Sequence, residues 1–443
     1  TNTSSSQQTL KQCINRVKMW ERDHPSAIKI DRAIGKMIAI DIQPIQIVEN
    51  EGFQFLLNQL EPRYKIPSRK YFTENVLPFL YDKMKMIIEK LMPKDSGVSF
   101  TVDLWTAEHT AQSYMSLTAH WLQSDFLLRS AVLHCIPFDD RHTSDNIGSM
   151  FREMLTNWNI SLSNCHTILH DNAPNITKAF REMNFIGLQQ VPCFAHSLQL
   201  VIKDGIFGQN EINKILATSR KLVGHFKKSS SATNRLHILQ KELNLPLSQL
   251  IQDVPTRWNS TLYLLKRFLE QRRAISIFCT ETDGVSNLNL SQWTTVEQII
   301  RTLAPFEELT RDVSGQSSLI SLIIPATKAL INVLEKPEVD SELKTMKEQL
   351  LKSLIKRLRN MEIHPCCAIA TLLDPRFKHR CFYEFVAAQA KDNLLLAFTR
   401  WCLNENTTNV EHLEPEKTLM NISRNCDLSP WSSLDEILSL SQT

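Results

Sequence analysis

The stretch "SFTVDLWTAEHT", Ser99 to Thr110, sets an aspartate inside a run that otherwise reads as a buried strand, with a tryptophan two residues later. Asp103 lies between Val102 and Leu104, and a carboxylate in that setting is paired, holds a metal, or sits at the strand's exposed end. Its surroundings decide the fold. Downstream, "SYMSLTAHWL" alternates Met115, Leu117, Ala119 and Trp121 with Tyr114, Ser116, Thr118 and His120, the period of a half-buried strand, and "FLLRSAVLHCIPF" reads as a third. "SDNIGSMFREMLTNWNI" then carries Ile147, Met150, Phe151, Met154, Leu155 and Trp158 at helix spacing, with Ser144 or Asp145 as the N-cap. "CHTILHD" is a short apolar strand ending in Asp171, "NITKAFREM" a short helix and "QQVPCFAH" another strand. The order is β-β-β-α-β-α-β. Three successive strands imply an antiparallel meander, and the later alternation implies parallel additions to the same sheet.

On either side the texture is helical. Only 10 glycines in 443 residues fit a chain dominated by helices. Upstream, "QQTLKQCINRVKMWER", "ENEGFQFLLNQL" and "SRKYFTENVLPFLYDKMKMIIEKLM" form a helical block; the last has a stripe of Val76, Phe79, Leu80, Met84, Ile87, Ile88 and Leu91 that Pro78 either starts or kinks. From about Ser197 the strand signal disappears, and helical patterns run from "QNEINKILATSRKLVGHFKKS" through "RWNSTLYLLKRFLEQRRAISIF" to "SELKTMKEQLLKSLIKRLRNM" with no repeat period. The expected class is α+β: a helical domain over 1–97, a mixed-sheet core over 98–200, an all-α block over 201–404 and a polar, largely unstructured tail over 405–443.

Bulk properties exclude several classes. A net charge of +3 does not announce a nucleic-acid binder, so such a surface must come from local clusters. The 10 cysteines show no CxxC pair and read as reduced thiols, with "HPCC" at His364 to Cys367 read as buried helix cysteines. No apolar run is long enough to span a bilayer and no signal peptide opens the chain, so no membrane partner is expected. The polar opening at Thr1 reads as sequence missing upstream.

A β-β-β-α-β-α-β order is the layout of the ribonuclease H-like fold, in which acids project from the first strand and from the end of the fourth. Asp103 and Asp171 occupy those places, and a carboxylate pair there can hold divalent cations that activate a hydroxyl or water against a phosphodiester. Either aspartate alone reads as a cap or a solvated strand end. The stretches "TVDLWT", "HDNAPNI", "CFAHSLQLVI", "VPTRWNSTLYLLKR", "TLAPFEELTRDVS" and "IATLLDPRFKHRCF", in this order, resemble the successive blocks of hAT-superfamily transposases, most closely the BED-finger proteins of animals that descend from them. The resemblance runs from about Gln8 to Phe382 and implies that the all-α block is an insertion into the ribonuclease H-like core. It further implies that Asp103 and Asp171 are two members of an acidic triad taking Mg2+ or Mn2+, and that Trp105, Arg257 and Trp258 attend the flipped bases of a DNA hairpin. Trp258 reads equally as a core residue of the helical block. Cys193 and His196 match the family's C-x-x-H; one Cys and one His are too few for a zinc site, so His196 reads as a hydrogen-bonding or phosphate-facing group.

The family's third acid, a glutamate in a C-terminal dimerisation segment, has no counterpart: after "SPWSSLDEILSLSQT" the chain stops, and neither Asp435 nor Glu436 sits in matching surroundings. No zinc spacing precedes Asp103, so Zn2+ is expected only in a BED finger upstream, and a homo-oligomer only with a dimerisation segment. Basic side chains cluster at Arg220, Lys221, Lys227, Lys228 and Arg235, again at Arg257, Lys266, Arg267, Arg272 and Arg273, and on a smaller scale at Arg63, Lys65, Arg69 and Lys70. Most such runs are solvated faces. The resemblance raises the phosphate-neutralising reading, with double-stranded DNA bound at weak specificity. The expectation is therefore a nuclear, DNA-associated protein domesticated from an hAT transposase, serving transcription or chromatin regulation, its catalytic site vestigial. The alternatives are a metal-dependent transposase completed by missing sequence or another chain, and a protein-interaction scaffold.

Overall fold

The computed structural model describes residues 18–93, 97–182, 188–315, 318–337 and 341–405. The polar tail expected beyond these, and most of the first expected helix, lie outside the described residues. The chain divides into two compact units, Thr1–Asp140 with Ser149–Thr167, and Arg141–Gly148 with Ile168–Thr443.

In the first unit, three helices precede the sheet: α1 (Pro25–Ile40), α2 (Glu51–Leu60) and α3 (Leu77–Leu91). α1 starts on Pro25, whose missing N–H costs nothing at a first helical position. Its Ala27, Ile34 and Ile38 bury with Val48, Tyr64, Phe72 and Val76. Gly35 is the closest approach: a Cβ there would lie 2.8 Å from Val76 and 2.9 Å from Leu80. Within this core the Tyr64 hydroxyl donates to Asp31, whose carboxyl burial pushes above its ordinary range. One helical turn (Arg69–Tyr71) and a π-helical turn (Phe72–Val76) lead into α3. Pro78, at the second position of α3, accounts for the π-turn, since its ring clashes with the carbonyl four residues back and the wider turn relieves that clash.

The sheet strands are β1 (Val98–Thr106), β2 (Ser113–Leu122), β3 (Leu128–Pro137), β4 (Cys165–His170) and β5 (Gln189–Pro192), in the spatial order β3-β2-β1-β4-β5. α4 (Ser144–Asn157) separates β3 from β4, and α5 (Pro174–Glu182) separates β4 from β5, so the succession β-β-β-α-β-α-β is the one the hydrophobic alternation implied. The β1–β2 and β2–β3 pairs are antiparallel, the second with a register shift at Leu117/Thr118. Phe100, Val102, Met115, Leu117 and Ala119 are buried, and Phe151 of α4 meets Phe100 edge-on at 6.2 Å. The Trp158 indole N–H donates to the Leu133 carbonyl at 3.2 Å. α4 itself is capped one residue earlier than expected: Ser144 is already helical, and the Thr143 hydroxyl accepts from the Asn146 N–H at 3.3 Å.

The second unit is dominated by helices: α6 (Phe194–Phe207), α7 (Asn210–Lys228), α8 (Ser230–Glu242), α9 (Trp258–Glu270), α10 (Arg272–Glu281), α11 (Leu290–Val313), α12 (Ile323–Glu335), α13 (Ser341–Leu358), α14 (Pro365–Leu373) and α15 (Glu384–Glu405). One apolar cluster runs from Val191 to Ala390, with Phe268 stacked on Trp293 at 4.9 Å. Two local readings change here. "CFAH" is not strand: β5 stops at Pro192 and α6 begins at Phe194, because Phe194, Leu198, Val201 and Ile202 recur at helical spacing and all bury in that cluster. The pattern from Trp258 to Phe278 is two helices, parted at Gln271, whose buried side chain donates to the Pro246 carbonyl and accepts from Gln240. α6 and α13 are clamped where Asp204 accepts from the Ser353 hydroxyl at 2.6 Å and from Arg357 at 2.9 Å. As expected of "HPCC", Cys367 is buried on α14, and burial pushes its thiol up to about 12. No helix among the described residues is long and apolar enough to cross a membrane.

Candidate functional site

Alternation along β1 directs Val98, Phe100 and Val102 into the core and Ser99, Thr101, Asp103 and Trp105 to the opposite, more accessible face. Asp103 stands opposite Ser116, exposed, with neither a hydrogen-bond nor an ionic partner among the described residues. The carboxylate therefore needs no buried partner. Trp105 is 38% exposed and stacks on Tyr114, its register partner on β2, at 5.7 Å and 20° between planes. On the same face the Thr101 hydroxyl and His120 Nε2 lie 3.2 Å apart, and burial holds the His120 imidazole below its ordinary value.

Asp171 belongs to the second unit, directly after β4. Its Oδ1 accepts from the Ala173 N–H at 3.0 Å, an Asx turn that leads into α5. The neighbouring His170 approaches the Asp171 carbonyl with Nδ1 at 2.5 Å; a carbonyl only accepts, so Nδ1 carries the proton. The Cys193 N–H donates to the His170 carbonyl at 2.8 Å, and Cys193 is the N-cap residue of α6, with half-buried His196 in the first turn. Asn172 donates to the Ser197 hydroxyl at 2.8 Å, and that hydroxyl donates to the Cys193 carbonyl at 3.0 Å. One residue pair further, Gln199 donates to the Thr256 carbonyl, which brings the segment carrying Arg257 to α6. The end of β4, the start of α6 and the Arg257 segment thus form one polar corner within this unit. Asn172, Ser197 and Gln199 were missed from sequence. The available signal was Ser197, a polar residue set among Phe194, Leu198, Val201 and Ile202; the structure buries it almost fully, where it requires a partner.

Among the described residues no three or more His, Cys, Asp or Glu side chains are grouped to hold a metal ion.

The basic clusters sort into two kinds. Arg220 clamps Asp253 with contacts at 2.6 and 3.0 Å, and although burial pushes the Asp253 carboxyl up, Arg220 and the Thr261 hydroxyl outweigh it and hold it below the usual range. Arg235 pairs with Glu281 at 2.6 Å, Arg267 with Glu270 at 2.8 Å and Arg272 with Glu297 at 3.3 Å, so these guanidiniums are occupied within the fold. Lys227 and Lys228 at the end of α7, Arg257 before α9 and Arg273 in α10 are exposed and have no carboxylate partner among the described residues; Lys266 is half-buried. Trp258 takes the core alternative, buried at the first position of α9.

Residues 101–190 match the family model described as the ZBED1 RNase-like domain, and residues 191–302 the one described as the ZBED1 RNase-like helical domain. The chain is 33% identical to zinc finger BED domain-containing protein 4 of Homo sapiens over 84% of its own length and 32% of that protein. It is 29% identical to zinc finger BED domain-containing protein 6 of Homo sapiens, covering 80% of the chain and 38% of the relative. With the putative AC transposase of Zea mays it shares 27% identity, over 82% of the chain and 46% of the relative. Sheet order and matched domains together define an α+β protein with an RNase-like domain followed by a helical one. The chain belongs to the BED-finger family derived from hAT transposases. It spans between 32% and 46% of the length of these three relatives.

Proposed function

We propose that this chain is the DNA-associating part of a nuclear protein domesticated from an hAT transposase, its helices from α6 onward forming an insertion in a ribonuclease H-like core. What supports the reading is the division among the cations of the helical unit: four arginines are engaged by carboxylates, whereas Lys227, Lys228, Arg257 and Arg273 are exposed without one among the described residues. Exposed cations of this kind neutralise phosphates and release counterions, lowering log K by about 0.9 per contact for each decade of salt. Phosphate contacts carry no base information, so specificity is weak. On this reading the binding serves transcription or chromatin regulation. Anisotropy of a labelled duplex, titrated over a salt series, tests it: Lys227→Glu, Lys228→Glu and Arg273→Glu together weaken binding about tenfold or more and flatten the salt slope. Unchanged binding in that triple variant would end the reading.

A second reading, metal-dependent DNA cleavage, draws on the exposed carboxylate of Asp103, which has no partner among the described residues. On that reading Asp103 would be one of the oxygen donors to Mg2+ or Mn2+. Cutting of an end-labelled duplex with either ion, abolished by Asp103→Asn, would favour this reading over binding alone.

A further inference from the structure

α3 is a 15-residue helix with no buried residue, although more than half of its side chains are apolar. Leu77, Leu80, Met84, Ile87 and Leu91 follow one another at alternating spacings of three and four, the seam of a helix that packs against another helix. α1 covers the beginning of that seam, where Gly35 approaches Leu80 and Leu77. Nothing among the described residues covers the remainder: Met84 is 56% exposed, Ile87 51% and Leu91 44%. Exposed Lys83 and Lys90 line one flank of the seam, Lys83 lying over the Phe79 ring at 4.9 Å, while Asp82 and Glu89 fall on the far side of the helix.

The flanking charge decides between occupants. In an antiparallel pair with a second copy, Lys83 and Lys90 would face the same lysines; in a parallel pair Lys83 would face Ile88. Neither arrangement gives the two cations a counter-charge. We propose that the uncovered half of the α3 seam docks an amphipathic helix of a partner protein, with leucine-type residues along its seam and acidic residues on the flank that meets Lys83 and Lys90. The partner's apolar face buries Met84, Ile87 and Leu91, and its carboxylates set orientation and select against basic helices.

The probe is a labelled synthetic helix of about three heptads with leucine at the seam and glutamate at the flanks, alongside a lysine-flanked twin. Titrated against the full chain by fluorescence anisotropy, the glutamate form should bind at least about tenfold more tightly than the lysine form. Lys83→Glu with Lys90→Glu should invert that preference. Met84→Gln with Ile87→Gln, at positions exposed enough to leave the circular dichroism unchanged, should abolish binding of both. Equal binding of the two helices, binding of neither, or sedimentation showing the chain pairing with itself in a manner lost in Ile87→Gln would overturn the proposal.

Discussion

Trp105 and Trp258 both stand out in the sequence, one beyond Asp103 and the other beside Arg257, yet the two units of the protein use them differently. In the helical unit the conspicuous residues are absorbed by the fold: Trp258 joins the apolar cluster, and Arg220, four residues short of Gly224 on α7, closes over buried Asp253. In the sheet-bearing unit they remain on the surface, Trp105 stacked on Tyr114 and Asp103 without a partner among the described residues. Prominence in a motif therefore does not say whether a side chain serves the core or faces outward. A helix surrounded by other helices buries its indole, whereas a strand with one accessible face presents every second side chain.

The contrast is broken most directly at the two tryptophans. Trp258→Ala should lower unfolding free energy by about 3–5 kcal/mol in denaturant titration, the usual cost of deleting a large buried aromatic. A loss under about 1 kcal/mol, typical of surface changes, would place Trp258 outside the core. Gly205→Ala is the next test of close packing in the helical unit: the added carbon would lie 2.6 Å from Leu350 Cγ, against α13. Overpacking of this kind costs about 1–3 kcal/mol, readable by thermal melting.

Acid should sharpen the comparison further. In the sheet-bearing unit burial holds the imidazoles of His120, His134 and His166 below their ordinary value. Their folded values lie under the unfolded value of about 6.5, so the stability they contribute is complete above that pH and drains as pH falls through the lowered values. In the helical unit burial pushes Asp253 and Asp374 up, but Arg220 and Arg376 outweigh it, and both carboxyls stay below the usual range. Their contribution is complete above about 3.9 and lost only in stronger acid. Hydrogen exchange read segment by segment should show β1 to β3 loosening at higher pH than α7 to α9; the opposite order would contradict the assignment. The smallest effect belongs to Trp105→Ala, which removes only a cross-strand stack and should cost about 0.2–1 kcal/mol in the same denaturant titration as Trp258→Ala.

Much of the architecture was legible because it rests on local periodicity. An apolar run marked β1, period-2 alternation marked β2, helix spacing marked α4, and the order of the blocks carried the α+β class. Legibility failed where a short segment satisfied two patterns. "CFAH" follows an apolar stretch and reads as strand, until Phe194 is seen to begin a buried helical stripe. The break at Gln271 was hidden for another reason: nothing in its immediate neighbours announces it, and its side-chain partners, Gln240 and Pro246, come from earlier in the chain.

The candidate site divides in the same way. Sequence alone determined where the acids, the C-x-x-H pair and the basic clusters lie along the chain, and it placed Asp103 on a strand, since residue type and periodicity are local properties. Only the tertiary structure decided which cations are engaged and which are available, that Trp258 belongs to the core, and that Asn172, Ser197 and Gln199 tie the end of β4 and the Arg257 segment to α6. The reason is that pairing depends on residues far apart in sequence, such as Arg220 and Asp253, which become neighbours only when the helices pack.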